Sequence, residues 1–350
     1  MDQGRSGYPN MSETMTTSVL TDIVSDSKKP AGFEKIRTDA ETFLSETGIP
    51  NKRNEDWRYT NIKRLFDNGL SLSSIDEITY NKVEGVEVSW SDDEKLIGST
   101  GIHTKEALAA LNTSLFEKAF VIRVKRGTHV KEELVLNQII NLKDNEFSAA
   151  RVLIMIEENA SLKCQHHFTG AHASSSLLNN LTEIFVGQNA QLELNYLQEL
   201  NDGSLITTTE VHCDQGAVFT ANGFQLSGML IRNNLNIRLN GEHAQANLNG
   251  FYMLNGKEHC DNHTFVDHLV PNCESNETYK GVLGGKSTGV FNGKVFVHPD
   301  AQKTNGYQQN KNILLTDEAT MNSKPELEIY ADDVKCSHGS TTGQLDEEAI

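Results

Sequence analysis

A segment that recurs at a fixed interval narrows the choice of fold more than composition can, and this chain has one. Ala217 opens AVFTANGF and Ala244 opens AQANLNGF, so that Asn, Gly and Phe follow at the same offsets 27 residues apart. Looser copies occur as ENASLKC around Ala160, QNAQLEL around Ala190 and DAQKTNGY around Ala301, and the steps from Ala160 to Ala190 to Ala217 are 30 and 27 residues. From about Phe116 the chain runs in short alternating segments such as AFVIRVKRG, ARVLIMIEEN, LTEIFVGQ and AQLELNYLQEL, separated by Gly, Asn and Asp. Half-buried strands joined by turns have this texture. A period near 30 residues without intervening helices is that of a β-solenoid, in which each coil covers the strand edges of the last. Small Ala then fits an inward corner, and Asn-Gly an outward turn. A β-sandwich is the competing architecture on the same pattern.

The segment before this region has helical texture. Phe33, Ile36, Ala40, Phe43 and Leu44 recur at helical spacing until Gly48 and Pro50 end the pattern. In NEDWRYTNIKRLF, residues 54–66, aromatic bulk at Trp57, Tyr59 and Phe66 is expected to pack on the domain core. The expected organisation is a disordered segment over 1–28, with Met11 as an alternative start, then an N-terminal helical domain over 29–115 and a solenoid over 116–345. Asp346, Glu347 and Glu348 read as the cap and first turn of a helix that the sequence does not complete.

Charge and cysteine usage exclude several classes of function. A net charge of -17 with no basic run argues against a phosphate-neutralising nucleic-acid surface. Cys164, Cys213, Cys260, Cys273 and Cys336 are too few and too scattered for a disulfide framework, and no Cys-x-x-Cys occurs. They read as reduced thiols, which places the chain in the cytoplasm. No stretch of ~18 apolar residues marks a membrane span, and the N-terminus lacks the apolar core of a signal peptide.

One pair of residues stands out chemically. In KPELEIYADDVKCSHGSTTGQLDEE, residues 324–348, Cys336 and His338 lie two apart in a strand-like run. Alternate residues of a strand share a face, ~6.6 Å apart at ~3.3 Å per residue. Thiol and imidazole both bind soft or borderline metals, but two ligands are half of what a closed tetrahedral site needs. A site completed by another chain, or a transient one, follows from that count. Cys164 and His166 share the spacing, with His167 on the opposite face. His259, Asp261 and His263 also line one face, with Cys260 on the other, and read either as a metal stripe or as an outward polar row. Gly284-Gly285-Lys286-Ser287 is a turn, because its glycine spacing misses that of a phosphate loop. Asp332-Asp333 is the one late acidic pair, and on a strand its side chains would point to opposite faces.

From Asp261 onward, DNHTFVDHLVPNCESNETYKGVLGGKSTGVFNGKVFVHPDAQKTNGYQQNKNILLTDEATMNSKPELEIYADDVKCSHGSTTGQLDEE resembles the core of the SufB/SufD family of iron-sulfur cluster assembly scaffold proteins. NEDWRYTNIKRLF and CSHGST are similar to the SufD branch of that family rather than to SufB. The resemblance covers positions 30–348, strongly after Asp261 and more loosely before.

It implies a mainly β fold, a right-handed parallel β-helix with a helical N-terminal domain. It also implies a heterodimer with SufB, bound to the ATPase SufC. The chain itself would then be no enzyme and would hold no permanent cofactor, a transient iron-sulfur cluster forming at the SufB interface. Whether a flavin joins the complex stays open. The family's interface histidine falls on His338, with Cys336 beside it. The C-terminal helical domain through which the family docks SufC is missing after Ile350, so docking of the ATPase is in doubt, and Gly339-Ser340 replaces the more familiar Gly-Ala. Two other readings stand beside this one. In one, the chain is an inert structural partner of SufB. In the other it is a carbohydrate-active β-helix enzyme, which would need paired carboxylates on an exposed groove.

Overall fold

The computed structural model describes Ile23 and residues 33–67, 69–73, 78–91, 97–170 and 173–344. The expected disorder over 1–28, apart from Ile23, and the helix start at 346–350 lie outside the described residues.

Two stacks of parallel strands face each other. The first sheet runs from Ala119–Val124 through Glu146–Ile156, Leu177–Val186, Ser204–Cys213, Leu230–Leu239, His259–His268 and Thr288–Val297 to Thr320–Ile329. The second alternates with it in sequence, from Leu134–Ile139 through Ser161–Gly170, Gln191–Leu200, Val218–Ser227, Gln245–Leu254, Glu274–Leu283 and Asn305–Leu314 to Lys335–Gln344. The chain therefore winds through about eight coils of a β-solenoid. Three short strands begin the sheets. Val86–Ser91 and Ile78–Tyr80 pair antiparallel with the first strand of each sheet, and Ser71–Leu72 pairs with Glu146–Ile156.

The corners explain the repeat. Ala160, Ala190, Ala217 and Ala244 each stand just before a second-sheet strand and are essentially fully buried. The residue before each is left-handed: Asn159, Asn189, Gly216 and His243 have φ between 54° and 65°. Asn tolerates this conformation better than most non-glycine residues, which accounts for the Asn-Ala pairs at two of the corners. The amides also stack the coils, since the backbone N–H groups of Asn159, Asn189 and Gly216 donate to carbonyls of Gln188, Gln215 and Glu242 one coil on, at 2.8–2.9 Å.

Two expectations about the repeat need correction. Asn222-Gly223 and Asn249-Gly250 are not turns; they sit in mid-strand. Their asparagines form an outward ladder, Asn249 Nδ2 donating to Asn222 and Asn222 Nδ2 to Asn195 at 2.9 and 2.8 Å. Their glycines face the lumen, where a Cβ on Gly250 would lie 2.1 Å from the Tyr279 ring. The copy at Ala301 is out of register as well. Thr304 fills the corner there, and Asn305-Gly306 opens a strand instead of lying in its middle.

The N-terminal region covers the outer face of the first sheet. Helix Glu34–Thr47 ends at Gly48, as its apolar spacing predicts, and packs Ile36, Ala40 and Leu44 inward. Helix Ala107–Leu115 lies across the strands, with Leu108 and Leu111 in the same cluster as Leu153, Leu177 and Ile206. In the 54–66 segment Trp57 and Phe66 are buried as expected, whereas Tyr59 is exposed. Polar groups close the seam. Arg37 donates to the carbonyls of Ser114 and Phe116, and Arg151 pairs with Glu183 at 2.5 Å with both side chains fully buried. Among the described residues no helix is long and apolar enough to cross a membrane.

Candidate functional site

Among the described residues, strand Lys335–Gln344 is the last of the second sheet and pairs on one side only, with Asn305–Leu314. Its register sets Cys336 opposite Gly306 and His338 opposite Gln308. Gly306 and Gln308 line the solenoid interior, so Cys336 and His338 both project toward the lumen side of an uncovered coil. A Cβ at Gly306 would lie 3.3 Å from Cys336 Sγ; the bare glycine leaves room for the sulfur to settle. Cys336 is consequently half-buried against the core, while His338 is exposed. Burial raises the proton affinity of the Cys336 thiol, against a smaller opposing effect of the Gly306 backbone. A cation at this place would have to displace that proton, since the thiolate is the ligand form.

Among the described residues no three His, Cys, Asp or Glu side chains gather closely enough to hold a metal ion. Within this chain, then, Cys336 and His338 have no third such ligand among the described residues.

The other spaced pairs go elsewhere. Cys164 and His166 face the lumen together near the opposite end, and His167 faces out toward Glu199. Burial drives the Cys164 thiol up and the His166 imidazole down to about 3. His166 lies 2.9 Å from Gln138 Oε1 and stacks on Phe168, so both groups are neutral members of the core. Cys213, Cys260 and Cys273 are buried and free.

His259, Asp261 and His263 do share the outer face of their strand, where they anchor the 54–66 segment. Thr60 donates to Asp261 and lies 2.9 Å from His259 Nε2. Arg232 Nη1 reaches Asp261 Oδ2 at 2.6 Å and the Asp56 carbonyl at 2.8 Å, with its guanidinium 3.6 Å above the Trp57 ring. His263 closes the set at 2.9 Å from Asp261 Oδ1. Burial pushes the Asp261 carboxyl up, but Arg232 and His263 overcome it and hold the group well below the usual carboxylate range. Sequence spacing found this row but not its partner, because Trp57 and Thr60 are some 200 positions away.

A groove of about 650 Å³ opens beside that network, lined by Trp57, Arg232, His263, Lys294, Lys324 and Glu328 among others. Its lysines are engaged, Lys294 with Glu328 and Lys324 with Glu55 and Glu326, at 2.5–2.6 Å. Asp332 and Asp333 lie in the loop between the last two strands instead of on a strand, and Asp333 is tied through its backbone to Lys303 and Gln302. The strand geometry expected of that pair is thereby overturned. Gly284–Ser287 is a turn, with Gly285 left-handed and Ser287 Oγ donating to the Gly284 carbonyl at 2.8 Å.

Comparison with known proteins bears on what such a solenoid does. Residues 139–350 match the SUF system FeS cluster assembly, SufBD core domain, and residues 21–84 match the SufBD protein N-terminal region. The chain is 30% identical to the iron-sulfur cluster assembly protein SufD of Escherichia coli (strain K12), over 88% of this chain and 80% of that protein. It is also similar to iron-sulfur cluster assembly SufBD family proteins of Synechocystis, at 25% identity over 90% of this chain and 80% of the relative, and of Mycobacterium leprae, at 27% over 86% and 79%.

Proposed function

Since the chain belongs to the SufBD family of iron-sulfur cluster assembly proteins, we propose that it is a non-catalytic, SufD-like scaffold subunit. In this reading its solenoid pairs with SufB, SufC supplies ATP hydrolysis, and the nascent cluster forms where the two solenoids meet. The observation that carries it is the placement of Cys336 and His338 together on the lumen side of a strand that, among the described residues, has one neighbour and is largely exposed. A partner chain can reach both groups there, and the pair is short of ligands by about the number a second chain would bring. Imidazole nitrogen suits iron, and a thiolate suits both iron and sulfide transfer.

The cluster is cargo in this role, not a resident cofactor. Solvent access to His338 fits transient binding, since a cargo ligand has to release. Cys336 is less suited, being half-buried with a thiol that burial keeps protonated. That favours a second reading for Cys336 alone, as a packing residue against Gly306. Co-expression with SufB and SufC separates the roles. His338→Ala is expected to lower the yield of assembled cluster at unchanged complex formation, and equal yield removes His338 from the mechanism. Cys336→Ala is expected to change yield less.

A further inference from the structure

The lumen changes character toward the end that bears His338. One inward file of the second sheet reads Leu194, Ala221, Leu248, Glu277, Gln308 and His338, each the register partner of the next. Its first three members are apolar and buried. The last three are a carboxyl, an amide and an imidazole, in consecutive coils.

The facing wall is shaped around them. Thr264 Oγ1 donates to Glu277 Oε2 at 2.5 Å. One coil on, Gly293 faces the lumen, and a Cβ there would lie 2.1 Å from Gln308 Nε2. Glu277 is 2% and Gln308 3% exposed, yet Glu277 Oε1 and both amide atoms of Gln308 have no hydrogen-bond partner. Gln308 lies close enough to the Glu277 carboxyl to lower its proton affinity, though not in the geometry of a formed bond. Burial outweighs that and Thr264, pushing the carboxyl up to about 7. In either protonation state it offers an acceptor oxygen toward the amide.

We propose that Glu277 and Gln308 are positioning residues for His338, fixing its tautomer from inside the solenoid. This rests on the reading of His338 as a cluster-facing ligand. Neighbours in a file are ~4.8 Å apart, within reach of a Gln side chain from either side. The amide has one donating and one accepting end. Glu277 Oε1 takes the donating Nε2, which turns Gln308 Oε1 toward His338. An acceptor there holds one imidazole N–H inward and leaves the other ring nitrogen, with its lone pair, facing the open end.

The test uses the full chain, 15N-labelled at the histidine rings, with His338 assigned by its loss in His338→Ala. The native chain is expected to show one dominant neutral tautomer at His338. Gln308→Met and Glu277→Met remove the amide and its anchor at similar side-chain volume, and are expected to bring the two ring-nitrogen shifts toward each other, as the tautomers mix. If one variant fails to fold, Gln308→Asn, which shortens the amide's reach by one methylene, takes its place with the same expectation. Unchanged His338 ring shifts in folded variants overturn the proposal. Cluster yield in co-expression with SufB and SufC tests the underlying reading independently. A tautomer response with normal yield in His338→Ala would retain the positioning and reject the ligand, and the opposite pair of results would do the reverse.

Discussion

The two ends of the solenoid share one backbone plan and carry opposite loads. In the early coils the second-sheet lumen is built from Leu134, Leu136, Leu162, Leu192 and Leu194, and helices cover the outer face of the first sheet. The ion pair buried there is held by several bonds, with Arg151 Nε its one atom without a partner. Arg151 pairs with Glu183 and donates to Thr113, and Glu183 also accepts from the Gly98 and Thr100 backbone amides and the Thr100 hydroxyl. In the late coils the lumen holds Ser275, Glu277, Gln308, Asn310 and Asn312, some of them short of partners, and the final strands of both sheets are partly or fully exposed. Among the described residues the enclosed ion pair lies under the helices, whereas the file of Glu277 and Gln308 leads to a strand that is largely exposed.

The strongest way to break that contrast is at the early end. Arg151→Ala leaves the Glu183 carboxylate buried without its counter-charge, which costs ~3–5 kcal/mol for a pair this enclosed. Urea unfolding should show the loss as a lower midpoint. The double change Arg151→Met with Glu183→Gln should recover part of it, because no charge is left to solvate and the amide oxygen can still accept from Gly98 and Thr100. A cost for Arg151→Ala below ~1 kcal/mol would mean that the pair is hydrated and the early coils are no better sealed than the late ones.

How much of this was legible in the sequence differs between the same two ends. The solenoid could be read from its corners, because Ala160, Ala190, Ala217 and Ala244 recur where only a small side chain fits. Asn-Gly was misread because its turn propensity is real, and only the register between coils shows that Gly250 makes room for Tyr279. The left-handed corner residues are Asn, Gly, His and Lys in different coils, so no dipeptide marks them all. Cys336 and His338 could be paired by strand spacing alone. Glu277 and Gln308 could not be singled out, since ESNETYKG and NGYQQNKN are polar on both faces and alternation does not say which face is inside. Arg151 and Glu183 were equally silent, because their burial depends on a helix that begins more than 30 residues away from either.

The next largest effect sharpens the contrast through pH. Glu277 is held near 7 in the folded chain, above the ~4.3 of an unfolded glutamate. The folded state therefore binds more protons than the unfolded state between those values. The contribution of Glu277 is fully present below pH ~4 and is lost as pH rises through about 7, by at most ~4 kcal/mol. Glu277→Gln removes the titration and should flatten this part of the profile. Comparing urea midpoints of the two chains at pH 5 and pH 8 measures it, and equal slopes would show that the late lumen is hydrated enough to ionise freely.

The smallest expected effect on stability falls on the residue given the largest functional role. His338 is exposed, and truncating an exposed side chain that gives one hydrogen bond inward changes stability by no more than ~1 kcal/mol. His338→Ala should therefore unfold close to the native urea midpoint while its cluster yield falls in the presence of SufB and SufC. Such a split separates a ligand from a structural residue, because a side chain that acted by supporting the fold would lower midpoint and yield together. A marked fall in midpoint, beyond the ~1 kcal/mol of one hydrogen bond to Gln308, would instead make the imidazole a structural seal of the late end. The solenoid would then close both its ends, and the contrast between them would lose its functional meaning.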